Sequence, residues 1–165
     1  MSETLESPAP ITVLGVGNPI MGDDAVGLLL LERLRQQQPD PRVEYVDGGT
    51  GGMELVPVVQ DAARLLILDA VAGDEPGTVH QFSGDQLPRM LSSKLSPHQV
   101  GLLDVFAAAR MLGREPEQVE VVGVVPESVD LCLGVSEPVS EAMDRAVGAA
   151  LDVIDSWLVE ISEQS

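Results

Sequence analysis

The amino-acid sequence predicts an α/β domain: a single-domain, three-layer αβα sandwich on a mostly parallel, twisted sheet of about five strands. Three observations predict it. Short aliphatic runs with no polar face recur at 11–16, 64–69 and 119–125, as in strands covered on both sides. Segments with apolar residues three and four positions apart alternate with these runs, as in amphipathic helices. Hydrophobic residues make up 44% of the 165 residues but aromatics only 2%, so one core must be built from Leu, Val, Ile, Ala and Met.

Residues 1–10 are polar, end in Pro8-Ala9-Pro10 and read as a flexible tail. They lack a basic segment followed by an apolar one, so no signal peptide is expected. Residues 11–16 form the first strand and 17–22 a loop. Asp23 and Asp24 then open a helix to about Gln37, with Asp23 expected to cap its free amides. Pro39 and Pro41 end that element. The alternation at 43–47 predicts a second strand, followed by the glycine-rich turn 48–52 and a short helix over 53–59. Residues 64–69 are a third strand closed by an acid, and 77–82 a fourth. A short helix over 86–91 and a loop at 96–98 come next.

Leu102, Val105, Phe106, Ala109 and Leu112 predict a helix over 101–112, with Gly113 at the position of a C-terminal glycine. Residues 119–125 form the fifth strand. Val139, Met143, Ala146, Ala150, Ile154 and Leu158 mark a long terminal helix with Pro138 in its first turn. The domain is expected over 11–160, with a short tail at 161–165.

The formal net charge is −18. Such a surface repels phosphate backbones and excludes nucleic-acid binding as an expectation. It also disfavours anionic membranes, and no run of about 18 apolar residues is present to span a bilayer. A cytoplasmic monomer is expected. The single cysteine, Cys132, cannot form an internal disulfide, which suits a reducing compartment. Its place between two leucines predicts a small buried hydrophobe.

Ligands of open α/β sheets bind outside the carboxyl ends of the strands. Three polar groups gather there: Asp24 after the first strand, Asp69 closing the third, and His98 in the loop before the helix at 101. Two carboxylates and an imidazole could bind a borderline divalent ion. Each also has an ordinary reading, as helix cap, turn acceptor and backbone-bonded loop residue respectively. Asp69, though, stands between Leu-Ile-Leu and Ala-Val-Ala, where a charge needs a purpose or a partner. His80 alternates with Val79 in a strand and reads as a surface residue. Gly15 and Gly17 after a strand, with Asp47 closing the next, suggest a dinucleotide site. Against it, Ile20 holds the third glycine position, and Asp23 and Asp24 would face the pyrophosphate. No Gly-x-Ser-x-Gly elbow is present.

Taken together, the segments Leu14-Gly15-Val16-Gly17-Asn18-Pro19, Gly22-Asp23-Asp24-Ala25-Val26-Gly27, Asp47-Gly48-Gly49-Thr50, Leu68-Asp69-Ala70, Pro76-Gly77-Thr78-Val79, Ser96-Pro97-His98-Gln99-Val100-Gly101-Leu102 and Val122-Gly123-Val124-Val125-Pro126 resemble the [NiFe]-hydrogenase maturation endopeptidases. The resemblance covers 11 to about 158. It implies a nickel-dependent, aspartic-type peptidase that removes a short C-terminal extension from a hydrogenase large-subunit precursor. The nickel would arrive with the substrate and be bound transiently. Carried over residue by residue, the metal-contacting and catalytic positions fall on Asp24, Asp69 and His98. Asn18, Asp47, Gly48, Gly49 and Thr50 fall on the substrate cleft, where glycines permit close approach of a backbone. The same three residues would serve a checkpoint that inspects nickel without cutting.

Overall fold

The aliphatic run Ile11–Val16 forms strand β1 and is buried at every position, as a strand covered on both faces must be. Strands β2 (Val43–Gly49), β3 (Arg64–Ala70), β4 (Val79–Ser83) and β5 (Gln118–Val124) complete one sheet in the order β2-β1-β3-β5-β4. The computed structural model describes residues 9–86 and 97–164. Strands β2, β1, β3 and β5 run parallel, and β4 pairs antiparallel with β5 at the edge. The sheet is therefore mostly parallel, as predicted. Most of the expected tail at 1–10, and all but the first residue of the expected helix at 86–91, lie outside the described residues.

Helices α1 (Val26–Gln37), α2 (Val56–Asp61), α3 (Pro97–Met111) and α4 (Glu137–Gln164) cover the sheet. Strand alternation divides the core between two faces. Ile11, Val13, Leu66, Leu68, Val122 and Val124 pack with Val26, Leu30 and Leu34 of α1 and with Val139, Ala146 and Ile154 of α4. Leu14, Val16, Leu65, Ile67 and Val121 pack on the other face with Val56 and Val59 of α2 and with Leu102, Val105 and Ala109 of α3. Gly27 lets α1 sit directly on the sheet: a Cβ there would lie 2.3 Å from the Leu68 carbonyl oxygen and 2.4 Å from that of Val16.

Helix α3 starts at Pro97, four residues before the expected start, so the backbone of His98 is in its first turn and not in a loop. Proline is preorganised for the first helical position, where no N–H is needed. The helix ends as predicted. Gly113 has φ +80°, its amide donates to Arg110 O, and Arg114 N donates to Ala109 O, which together close a Schellman motif. Helix α4 runs to Gln164, so 161–164 is helix where a tail was expected. Arg64, at the start of β3, donates to Glu160 and Gln164 and ties that last turn to the sheet. No helix among the described residues is long and apolar enough to cross a membrane.

Candidate active site

The chain leaves β1 through Gly17-Asn18-Pro19-Ile20-Met21 and turns into a short 3-10 helix, Gly22–Ala25, that leads straight into α1. The turn packs against β3, so Asp24 stands beside the strand that carries Asp69. This is the switch point of the sheet: connections leave β1 toward one edge and β3 toward the other. In open α/β sheets ligands bind at such a point, outside the carboxyl ends of the strands.

Asp24 is 2% exposed, and its Oδ2 accepts a hydrogen bond from Asn18 N at 2.9 Å. Asn18 Oδ1 accepts in turn from Ile20 N at 3.1 Å, which fixes the turn. Asp69 is also 2% exposed, and its Oδ1 accepts from Ala70 N at 2.8 Å. Alternation along β3 puts Asp69 on the face of Leu65 and Ile67, the one that α2 and α3 cover. Two ionisable groups this deep in an aliphatic core are costly unless held by specific partners.

Helix α3 brings His98 to the same rim. Its carboxyl end lies at the opposite rim, where Arg114 pairs with Asp61 at 2.7 Å and Glu117 N donates to Ala63 O. Its 15 residues span about 22 Å, close to the length of the seven-residue β5 beside it. The first turn therefore lies at the level where Asp24 and Asp69 sit. The His98 side chain is outside the described residues, and among the described residues no three His, Cys, Asp or Glu side chains form a metal-sized group.

The cleft residues of β2 meet β1 at this rim. Gly17 N donates to Gly49 O at 2.8 Å, and the β1–β2 register slips between Gly15 and Val16. Asp47 is exposed and its Oδ1 accepts from Gly49 N at 2.9 Å, which bends the strand end at a residue with φ +49°. Gly48 is buried against Leu14 and Val16, and Thr50 is exposed.

Asp23 does something other than cap the helix. The 3-10 turn has no side-chain cap. Instead the Asp23 carboxylate, 1% exposed, accepts from Glu127 N, Ser128 N, Ser136 N and Ser136 Oγ, all in the connection between β5 and α4. Helical amides would compete poorly with four donors arranged around one buried carboxylate. Cys132, in the same connection, is exposed and not the buried hydrophobe expected. It lies in a piece of loop whose backbone bonds to the β1–α1 turn: Gly22 N donates to Cys132 O and Cys132 N to Ile20 O, both at 2.9 Å. His80 is half-buried on the edge strand β4.

A family model described as hydrogenase maturation protease (HycI) matches residues 28–153. The hydrogenase 2 maturation protease of Escherichia coli (strain K12) is 41% identical over 153 residues, covering 91% of this chain and 93% of that protein. The hydrogenase expression/formation protein HupD of Rhodobacter capsulatus is 32% identical over 160 residues, covering 94% and 76%. Among solved structures, the hydrogenase maturating endopeptidase HybD from E. coli matches with a TM-score of 0.82 at 37% identity, over 88% of this chain and 92% of that one. With its five-stranded, mostly parallel sheet and its buried acids at the switch point, the chain belongs to the hydrogenase maturation protease family and is a peptidase.

Proposed function

We propose that this protein removes the C-terminal extension of a nickel-loaded [NiFe]-hydrogenase large-subunit precursor, and that Asp24, Asp69 and His98 receive the substrate's nickel. The observation that carries this reading is the pair of aspartates, each 2% exposed, at the switch point of the sheet. Burying two carboxylates among aliphatic side chains is costly, and buried acids at a ligand-binding rim mark functional sites. Oxygen donors with one imidazole suit a borderline divalent ion. Three protein ligands leave positions on the nickel for the precursor's own groups and for water or the scissile carbonyl oxygen.

In this reading the nickel is cargo. Contact with it holds the C-terminal segment in register and makes cleavage conditional on metal loading. One of the two carboxylates takes a proton from the attacking water. The water oxygen bonds to the scissile carbonyl carbon, the C–N bond breaks, and the leaving amine takes up the proton. Asp47, Gly48, Gly49, Thr50 and Asn18 border the site and accommodate the substrate backbone. The protein works as a monomer in the cytoplasm.

The test is intact-mass analysis of a nickel-loaded large-subunit precursor and a nickel-free control, each with and without the protein. Loss of a C-terminal peptide from the loaded sample alone is expected. Equal cleavage of both would remove nickel recognition, and binding without cleavage would favour a checkpoint.

A further inference from the structure

Next to the buried acids lies a surface with the opposite character. Leu133 is 80% exposed, Leu131 74%, and Ile20 49%. Leu131 and Leu133 flank Cys132, which pairs in parallel with Met21, and that register sets Ile20 beside Leu131. Three large apolar side chains thus form one ledge, starting four residues before Asp24.

The ledge is held firmly although it belongs to no sheet or helix. Backbone bonds Gly22 N to Cys132 O, Cys132 N to Ile20 O and Asp23 N to Ser128 O join the two loops. The four bonds to the Asp23 carboxylate lock the same segment from below. Gly22 is the contact point: its φ is +56°, and a Cβ there would lie 2.9 Å from Ser128 O. A loop fastened this thoroughly could have turned its leucines inward at little further cost. It presents them to solvent instead, as interaction surfaces do.

We infer that the ledge of Ile20, Leu131 and Leu133 docks apolar side chains of the precursor next to the scissile bond; this rests on the proposed peptidase site at Asp24. Two features select that occupant over a second copy of the chain. The ledge adjoins the turn that carries Asp24, so a copy seated on it would obstruct the approach of the substrate to that acid. Two copies of net charge −18 also repel each other. A polypeptide approaching that acid passes the ledge, where apolar contact is independent of the charge around it. Asp23 thereby acts as a positioning residue, coupling the ledge to the turn that carries Asp24.

The test compares wild-type protein with Leu131→Ser/Leu133→Ser and with the apolar control Leu131→Met/Leu133→Met. KM and kcat for the nickel-loaded precursor come from intact-mass time courses, and precursor affinity comes from calorimetry. The serine variant is expected to raise KM and Kd about tenfold, the effect of losing roughly 1.4 kcal/mol of apolar contact. Its kcat and melting temperature should stay at wild-type values, because both side chains are already in water. The methionine variant should match wild type. An unchanged KM and Kd in the serine variant would overturn the inference. So would a wild-type dimer in sedimentation that the serine variant dissolves while KM and Kd hold. Should wild type cut nothing, the peptidase proposal falls separately, and equal precursor affinity of wild type and serine variant would still refute the ledge.

Discussion

At the amino-terminal rim of the sheet, charged and polar side chains bond to one another. Arg64 reaches Glu160 at 3.3 Å, Gln118 joins Trp157 Nε1 to Glu160, and Arg42 meets Asp40 at 2.8 Å. The Arg42 guanidinium, donating to Asp40, holds that carboxyl at about 2. At the carboxyl rim, Asp23, Asp24 and Asp69 take bonds mainly from backbone amides: those of Glu127, Ser128 and Ser136 for the first, which also accepts from the Ser136 hydroxyl, of Asn18 for the second, and of Ala70 for the third. The contrast separates two uses of charge. Side-chain pairs at the amino rim fasten α4 to the starts of β3 and β5 and brace the turn before β2. Amide bonds at the carboxyl rim set where carboxylates and loops stand, and so build a site. Substitutions at the two rims should therefore move different observables.

The largest effect belongs to the buried acids of the site. Asp24→Asn and Asp69→Asn should each slow precursor processing by at least about 100-fold, the lower end for loss of a carboxylate that handles a proton or orients a metal. Far-UV circular dichroism should keep its wild-type shape. Unfolded variants would move these acids from the site into the fold.

Arg64→Ala should do the reverse. It removes a buried side chain whose guanidinium bonds to Glu160 and Gln164. A loss of about 1–2 kcal/mol corresponds to a fall of about 2–8 °C in melting temperature for a chain of this size. Processing at 25 °C should stay within about twofold of wild type. A processing defect as large as that of Asp69→Asn would erase the distinction between the rims.

The smallest effect appears only at alkaline pH. Burial, with Asp40 and Asp155 nearby, pushes the Tyr45 hydroxyl up to about 12, and it donates to Gln38 O at 2.5 Å. The folded value lies above the unfolded value of about 10. Its contribution is therefore complete below pH 10 and declines as pH rises from there through 12. Tyr45→Phe should flatten that part of a urea-stability profile and leave the profile below pH 9 parallel to wild type.

Much of this architecture is written in local pattern. Runs such as Leu65-Leu66-Ile67-Leu68, short and closed by an acid, favour a doubly covered strand, and Gly113 marks the C-terminal turn of α3. Asp24 and Asp69 are placed at the carboxyl rim by strand ends alone. What sequence reading missed depends on distant partners. Asp23 has an ordinary capping pattern, but its donors at Glu127 and Ser136 lie more than a hundred positions away. Cys132 between leucines has an apolar neighbourhood in sequence, yet its loop is held by backbone bonds and leaves all three side chains exposed. The antiparallel course of β4 follows from where its eight-residue connection can reach, not from its own residues. The early start of α3 was readable at Pro97, whose preference for the first helical turn outweighs its use in loops.

The most direct measurement is an intact-mass time course of one nickel-loaded precursor with wild-type protein, Asp24→Asn, Asp69→Asn and His98→Ala. Loss of the C-terminal peptide with wild type alone, from three well-folded variants, is the predicted result. Wild-type cleavage rates in either aspartate variant would contradict a site built on the two buried carboxylates.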